Sequence, residues 1–194
     1  MARPVPSQLA DLEGPKLNLG CGENCPPDFV NLDVDGAGGA TVIFDLEYCA
    51  DFPLPFPSDH FAAVWACHSL EHVANIFPLM SELWHVLRPG GTLFVECPRP
   101  DCTAAYFVGH KRRLWPDSFQ PLFPDRWGNF DIWPLRTTRH LGYFGGPWRF
   151  GGELPDPPKG CWQALYYPIK DQEVLRLFEP YLHRPQPKEE PPCA

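Results

Sequence analysis

Two glycines and two carboxylates follow short apolar runs, and together they could bind a ligand. Gly20 and Gly22 form a Gly-x-Gly turn, and Asp33 and Asp45 come further along the chain. Glycine lets the backbone turn sharply and lets a ligand approach the main chain closely. A carboxylate oxygen pair accepts several hydrogen bonds, which suits neighbouring hydroxyls of a sugar. Either aspartate alone also fits a turn cap, and Asp35 is a second candidate for the sugar.

The spacing around these glycines departs from the common nucleotide-binding patterns. A G-x-G-x-x-G fingerprint requires a third glycine where this chain has Cys25. The acid that binds the ribose in that fingerprint is expected about 20 residues further on, and Asp33 comes too early. The chain also contains no G-x-x-x-x-G-K-[ST] sequence. We therefore expect neither NAD nor a nucleotide bound by a P-loop.

A histidine follows the most apolar run of the chain. His68 comes directly after FAAVWAC, where an imidazole could take a proton from a hydroxyl or amine nucleophile. His140 and Tyr143 are alternative bases, and a nucleophile that is already deprotonated needs only to be positioned. The sequence from His68 through Glu71 to His72 also fits the H-x-x-E-H zinc motif. That interpretation requires a helix through His68, whereas FAAVWAC is typical of a strand.

Four apolar runs must form the strands that position these residues. The runs Lys16–Leu19, 29–33 and 41–44 are short and each is followed or closed by a candidate site residue. The fourth, Phe61–Cys67, is apolar throughout, as in a strand buried on both faces of a parallel sheet. Because parallel strands end at the same edge of a sheet, the glycine turn, both acids and the histidine are expected to line one crevice.

A helix and a further strand follow this fourth run. Apolar residues recur at helical spacing from Phe77 to Leu87, the helix must stop by Pro89, and 92–97 reads as a strand. Strand, helix and strand in succession imply a parallel βαβ unit. The connections at 22–29 and 36–39 are too short for ordinary crossover helices. We predict an α/β fold with a Rossmann-like, mostly parallel sheet and shortened early crossovers.

The remainder of the chain divides into an arm, an irregular half and a tail. Residues 1–14 are expected to form a loosely docked N-terminal arm, and 15–98 the ligand-binding core of a domain spanning 15–184. Residues 99–184 are rich in Pro, Gly, Trp and Phe without sustained periodicity, so we interpret them as a substrate-covering insertion and a C-terminal helix that begins after Asp171. The tail, 185–194, has the composition of a disordered segment.

Composition excludes several classes of protein. The 194 residues carry 16 Lys+Arg against 24 Asp+Glu, a net charge of -8, which argues against binding to duplex nucleic acid. No stretch approaches the roughly 20 apolar residues that cross a bilayer, and the N-terminus lacks the apolar core of a signal peptide. The cysteines show no C-x2-C spacing. These features predict a reduced cytoplasmic protein with neither nucleic acid nor membrane as a partner.

Five motifs taken together resemble one family. The five motifs lie in LNLGCG, NLD, FDLEYCADFPLPFPSDHFAAVWACHSLEHV and ELWHVLRPGGTLFVECP, and the match covers residues 16–98 in order. As a set they are similar to the class I S-adenosylmethionine-dependent methyltransferases, closest to the type 11 branch. The resemblance implies a cofactor, S-adenosylmethionine, held by a known set of positions, which here are Asn18, Leu19, Gly20, Cys21, Gly22, Asp33, Asp45, Leu46 and Cys67.

The resemblance also implies a role for each part of that set. The loop from Leu19 to Gly22 would lie under the methionine part, Asp33 would hold the ribose, and Asp45 with Leu46 would flank the adenine. Cys67 and His68 would face the sulfonium and the methyl acceptor. Asn18 stands where many members carry an acid, and its amide oxygen can still accept a hydrogen bond.

The predicted function is methyl transfer from S-adenosylmethionine to an O, N or C nucleophile, with His68 as the candidate catalytic residue. The acceptor is expected to be a small molecule, no metal ligands are assigned, and the oligomeric state is left open. A catalytically silent domain that binds the cofactor or a partner is one alternative. A zinc hydrolase built on HSLEH is the other.

Overall fold

The computed structural model of the chain describes residues 3–123, 145–179 and 182. Several predictions fall outside these residues. They concern the tail, 185–194, and the side chains of His140 and Tyr143.

One mixed sheet organises the described part of the chain. Its seven strands lie in the order β3-β2-β1-β4-β5-β7-β6. The strands are β1 (Lys16–Leu19), β2 (Val30–Asp33), β3 (Val42–Ile43), β4 (Phe61–Cys67), β5 (Leu87–Pro98), β6 (Trp148–Glu153) and β7 (Cys161–Pro168). Neighbouring strands from β1 to β5 pair in parallel, whereas β7 pairs antiparallel with both β5 and β6. The predicted α/β fold with a mostly parallel sheet is confirmed.

Strand β4 is the centre of the core, as its continuous apolar sequence predicts. All of its residues except the last are buried. Val64 and Ala66 pack into the larger hydrophobic cluster, on the face covered by the long helix. Ala63 and Trp65 pack into a second cluster on the opposite face. Burial on both faces fixes the end of β4, where Cys67 and His68 lie.

Three helices accompany the sheet in the described residues. They are α1 (Ser7–Ala10), α2 (Ile76–Val86) and α3 (Gln172–Phe178). Helix α2 buries Leu79, Met80 and Leu83 against the sheet, as its apolar spacing predicts, and β5 begins directly after it. None of these helices combines the length and the apolar character that a membrane span requires.

The connections after β1 and β2 are as short as expected. Residues 20–29 and 34–41 form turns and bends, with no helix in either stretch. This leaves one face of β1, β4 and β5 to the N-terminal arm. Leu9 of α1 is fully buried there with Phe29, Trp65 and Phe94. The arm therefore packs against the sheet through Leu9, because the missing helices leave an apolar sheet face that the arm covers.

Part of the irregular second half completes the sheet. Strand β7 alternates half-buried and buried residues along its length and inserts between β5 and β6. Trp162, Ala164, Tyr166 and Pro168 are its buried members. The rest of the described insertion consists of turns, with short 3-10 helices at Thr103–Tyr106 and Pro116–Leu122.

Candidate functional site

A cavity of about 520 Å³ opens where the parallel strands end. Its walls come from the turns after β1, β2, β3 and β4, the edge at which open α/β sheets bind ligands. Residues predicted for the site that line this cavity are Gly20, Gly22, Asp33, Asp45, Leu46 and His68. Its size is in the range of small-molecule sites. The topology therefore brings together residues that are up to 48 positions apart in the sequence.

The two glycines of the first turn have different surroundings. Both have left-handed backbone angles, with φ of +67° at Gly20 and +53° at Gly22. A Cβ at Gly20 would lie 2.6 Å from Cβ of Ser69, so this glycine permits close contact between two turns. A Cβ at Gly22 would meet nothing within 4 Å. Gly22 is thus the glycine that leaves room for a ligand beside the main chain.

Asp33 connects the glycine turn to the second strand. Its Oδ2 accepts a hydrogen bond from the backbone N–H of Gly22 at 2.8 Å, and its Oδ1 accepts one from Asp35 N–H at 3.2 Å. Each carboxylate oxygen retains capacity for a further hydrogen bond. The carboxylate is thereby held at the cavity with both oxygens able to receive a hydroxyl. Asp35 does not line the cavity.

Asp45 caps a turn, which was the alternative to a binding role, and it also borders the cavity. Its Oδ1 accepts the backbone N–H of Glu47 at 3.0 Å, which caps the 3-10 helix Leu46–Ala50. Leu46 follows in the cavity wall with apolar neighbours Phe44 and Val73. These side chains form an apolar surface suited to a flat ring.

Three predicted cofactor residues of the first strand and turn do not line the cavity. Leu19 is fully buried in the larger core cluster. The amide nitrogen of Asn18 donates to Asn24 O at 2.7 Å and to Asn31 Oδ1 at 2.9 Å, beneath the turn. Cys21 is buried with its sulfur 3.2 Å from that of Cys25. These three residues support the turn from the protein interior. Burial together with the Cys25 thiol raises the pKa of Cys21 to about 12.

His68 lies between two buried carboxylates. Its backbone has a φ of +53°, which turns the ring back across the end of the sheet. Nδ1 is 3.1 Å from Oε1 of Glu71, and Nε2 is 3.0 Å from Oε1 of Glu96. Burial opposes the charged ring, but these two hydrogen bonds outweigh it and raise the pKa of His68 to about 9.

This environment argues against His68 as a general base at neutral pH. A base needs a free lone pair, whereas an imidazolium donates from both nitrogens. The carboxyl partners are poor bases as well. Burial alone would raise their pKa values, yet the hydrogen bonds from His68 lower the pKa of both Glu71 and Glu96. His68 is therefore a partly buried positive charge at the cavity, with both ring nitrogens held by carboxylate oxygens rather than free to take a proton.

The zinc interpretation of HSLEH was wrong in its structural premise. Strand β4 ends at Cys67, and only Leu70–His72 forms a single 3-10 turn. His72 points elsewhere, since its Nδ1 donates to the carbonyl oxygen of Gly109 at 3.0 Å. The two histidines are thus not on one helical face, as the inverted motif requires.

A second cavity of about 670 Å³ meets the first at His68, which lines both. Cys67, the remaining predicted residue, lines only this second cavity. Other polar residues in its wall are Arg3, Glu96, Lys159, Cys161 and Gln163, and Trp65 and Phe94 supply apolar surface. Burial is the main cause that raises the pKa of the Cys67 thiol to about 12.

Sequence reasoning missed Glu96 and Arg3. Glu96 is buried, and it accepts hydrogen bonds from Arg3 Nη1 at 2.7 Å and from Gln163 Nε2 at 2.5 Å, besides its contact with His68. A usable signal was present, because one acid interrupts the apolar strand TLFVEC. A buried acid in such a strand requires a partner. Arg3 carried no comparable signal in an arm without periodicity.

One buried hydroxyl at the first cavity has no hydrogen-bond partner among the described residues. It belongs to Ser69, which lies in the cavity wall between Gly20 and His68. Buried polar atoms are normally satisfied. This atom, the open space at Gly22 and the carboxylate of Asp33 fit a ligand that carries hydroxyls and other polar groups.

Comparisons with known proteins agree with this architecture. Residues 32–95 match the methyltransferase domain family. No curated protein sequence matches the chain. An S-adenosylmethionine-dependent methyltransferase from Mesorhizobium loti has a similar structure, with a TM-score of 0.50, 13% identity, and coverage of 83% of this chain and 94% of that one.

Two archaeal structures are similar to the same degree. One is a candidate type 11 methyltransferase from Sulfolobus solfataricus, with a TM-score of 0.51, 10% identity, and coverage of 82% of this chain and 86% of that one. The other belongs to a complex of the Trm112 methyltransferase activator from Haloferax volcanii with a candidate methyltransferase, with a TM-score of 0.51, 13% identity, and coverage of 82% and 86%. At such identities the likeness concerns the fold alone.

Proposed function

We propose that this chain is a class I S-adenosylmethionine-dependent methyltransferase, which binds S-adenosylmethionine in the first cavity and transfers its methyl group to a small acceptor. The observation that carries the proposal is the convergence of Gly22, Asp33 and His68 on one cavity at the ends of parallel strands.

The described residues fit the cofactor part by part. Asp33 would accept hydrogen bonds from the two ribose hydroxyls. Leu46, Phe44 and Val73 would pack on the adenine. Gly22 leaves space beside the main chain for the methionine part, and the unpaired hydroxyl of Ser69 borders the same space. When bound, the cofactor supplies an electrophilic methyl group on a positively charged sulfur.

The second cavity is the proposed acceptor site. It adjoins the first at His68, so an acceptor there would lie next to the reacting methyl. Trp65 and Phe94 offer apolar contact, while Arg3, Lys159 and Gln163 offer donors to an oxygen-bearing group. Holding both reactants in line removes much of the entropic cost of a bimolecular step.

No strong base faces this junction among the described residues. His68 is protonated at neutral pH and its carboxylate partners are weakly basic. The chain would therefore position the acceptor and exclude water, rather than remove its proton. We expect an acceptor that is already nucleophilic at neutral pH, such as an amine or a phenol of lowered pKa.

The test measures transfer of label from methyl-labelled S-adenosylmethionine to an acceptor by the purified full chain, together with formation of S-adenosylhomocysteine. Candidate amines, phenols, thiols and carboxylic acids serve as acceptors. The proposal predicts label transfer that falls about 10- to 100-fold in Asp33→Ala, while the exposed Asp28→Ala serves as the charge-matched control. Saturable cofactor binding without label transfer to any class would favour a silent binding domain. Failure to bind the cofactor would overturn the proposal.

A further inference from the structure

The mouth of the second cavity gathers three different metal-ligating atoms. The Sγ of Cys67, a ring nitrogen of His68 and a carboxylate oxygen of Glu96 all lie within 4.8 Å of one another. They come from the end of β4, the residue after it, and the paired position on β5, since Cys67 is opposite Glu96 in the sheet. Two neighbouring strands therefore fix the three groups in relation to each other.

The separations suit a small tetrahedral ion. His68 Nε2 lies 3.0 Å from Glu96 Oε1 and 3.7 Å from the sulfur of Cys161 at the start of β7. Ligand bonds to zinc of about 2.0 Å for nitrogen and oxygen and about 2.3 Å for sulfur place neighbouring ligands at such distances. Cys161 is thus within reach of the same ion as a fourth ligand.

The orientation of His68 is the one that metal-bound histidines adopt. Its Nδ1 faces the buried carboxylate of Glu71 at 3.1 Å, which leaves Nε2 toward Glu96 and the sulfur atoms. A carboxylate on the far nitrogen fixes the ring and increases its basicity toward a metal. Glu71 is itself held, because its Oε2 accepts a hydrogen bond from Cys97 at 3.3 Å.

The positively charged side chain of Arg3 contacts this cluster. Nη1 of Arg3 is 2.7 Å from both the Cys67 sulfur and Glu96 Oε1. The Arg3 side chain is half exposed and comes from the N-terminal arm, so it can be displaced without disturbing the sheet. The cluster is therefore a site for positive charge, for which the arm and a metal ion would compete.

From this arrangement we propose that Cys67, His68 and Glu96 bind a zinc ion, with Cys161 or an exogenous ligand completing a tetrahedral site. Binding releases the thiol proton of Cys67 and the Nε2 proton of His68. With a neutral exogenous fourth ligand, the thiolate and the Glu96 carboxylate balance the two charges of the ion. With Cys161 as the fourth ligand, its thiol proton is released as well and the site carries one net negative charge. Borderline zinc suits this mixture of sulfur, nitrogen and oxygen donors. Because all three residues line the second cavity, a molecule there could reach the ion, a consequence that rests on the proposed function.

The experiment uses cobalt(II) as a spectroscopic probe for zinc in the full chain treated first with a chelator. We expect one cobalt per chain, visible bands of tetrahedral intensity, and a near-ultraviolet thiolate-to-cobalt band that zinc abolishes. Cys67→Ser should weaken the thiolate band, leaving only the part that Cys161 supplies if it is the fourth ligand, and should lose at least about tenfold in affinity. Arg3→Ala should bind more tightly than the unchanged chain, because the competing cation is gone.

Controls separate this site from others in the chain. Cys25→Ser alters the other close pair of thiols and should leave the spectrum unchanged, as should His72→Ala in the neighbouring cluster with Glu71 and His110. Thiolate bands that vanish in Cys25→Ser but persist in Cys67→Ser would overturn the proposal. So would cobalt bound without a thiolate band, weaker binding by Arg3→Ala, or no binding at all. The cobalt spectra require no S-adenosylmethionine, so their outcome does not depend on whether the protein transfers a methyl group.

Discussion

A single imidazole illustrates how neighbouring charges decide what a residue can do. In isolation His68 would titrate near 6.5, within reach of a base at neutral pH. The carboxylates of Glu71 and Glu96 stabilise its charged form, so the ring becomes a fixed cation beside the first cavity. Sequence position alone identified the residue, but not its protonation state, because Glu71 and Glu96 reach it only through the turn and the sheet pairing.

The pH dependence of stability tests this assignment. A histidine whose pKa is raised in the folded state adds stability that is fully present below its unfolded pKa near 6.5 and lost as pH rises through about 9. The free energy of unfolding of metal-free protein should therefore fall over this window, and His68→Gln should remove that part of the dependence. Urea unfolding across this pH range measures it. A His68 ring that titrates near 6.5 by NMR would contradict the assignment.

The glycine turn allows a matched pair of substitutions. Gly20→Ala and Gly90→Ala both place a methyl group on a left-handed residue, but only the methyl at Gly20 meets a neighbour, Cβ of Ser69 at 2.6 Å. We expect Gly20→Ala to lose about 1–3 kcal/mol more stability than Gly90→Ala because of this overlap. Urea unfolding of both variants measures the difference. Equal losses would mean that the two turns are not in close contact.

The candidate site was predictable where local chemistry marked it. Gly22, Asp33 and Asp45 follow recognisable runs, and the structure brings all three to one cavity. Asn18 and Leu19 were assigned to the cofactor by resemblance. Instead, Asn18 donates a hydrogen bond to the turn and Leu19 is buried in the core. Glu96 was not predicted as a site residue, because its contacts depend on the pairing of β4 with β5 and on Arg3, which is distant in the sequence.

At the scale of elements, periodicity predicted those strands and helices whose burial follows one simple pattern. Strands β1 and β4 and helix α2 are where apolar runs and helical spacing place them. Strand β7 was not predicted, although its buried residues alternate regularly from Trp162 to Pro168. Surrounding prolines and glycines obscured the alternation, and its antiparallel position between β5 and β6 depends on pairing that local sequence does not specify.

The N-terminal arm acts as a structural element despite its short helix. Leu9 is fully buried against Trp65 and Phe94, where ordinary crossover helices are missing. Leu9→Ala should destabilise the protein by about 2–5 kcal/mol, the range for a cavity in a packed core. Gln8→Ala, at an exposed neighbouring position, should change it little. A Leu9→Ala variant as stable as the unchanged chain in urea would mean that the arm is only loosely docked.

At the scale of the whole molecule, two cavities adjoin the sheet and share one lining residue. The first is formed by turns at the ends of β1 to β4, and the second by the arm, β4, β5 and β7. His68 belongs to both walls. Under the proposed function the first cavity binds the cofactor and the second binds the acceptor, so substitutions in one cavity should affect the binding of one reactant without the other.

Calorimetric titration with S-adenosylmethionine tests the central claim most directly. The unchanged chain and the control Asp28→Ala should bind one equivalent with equal affinity. Asp33→Ala should bind about 10- to 100-fold more weakly, since charge-assisted hydrogen bonds to the ribose are lost. Equal binding by Asp33→Ala, or no binding by folded protein, would contradict the assignment of the first cavity to the cofactor.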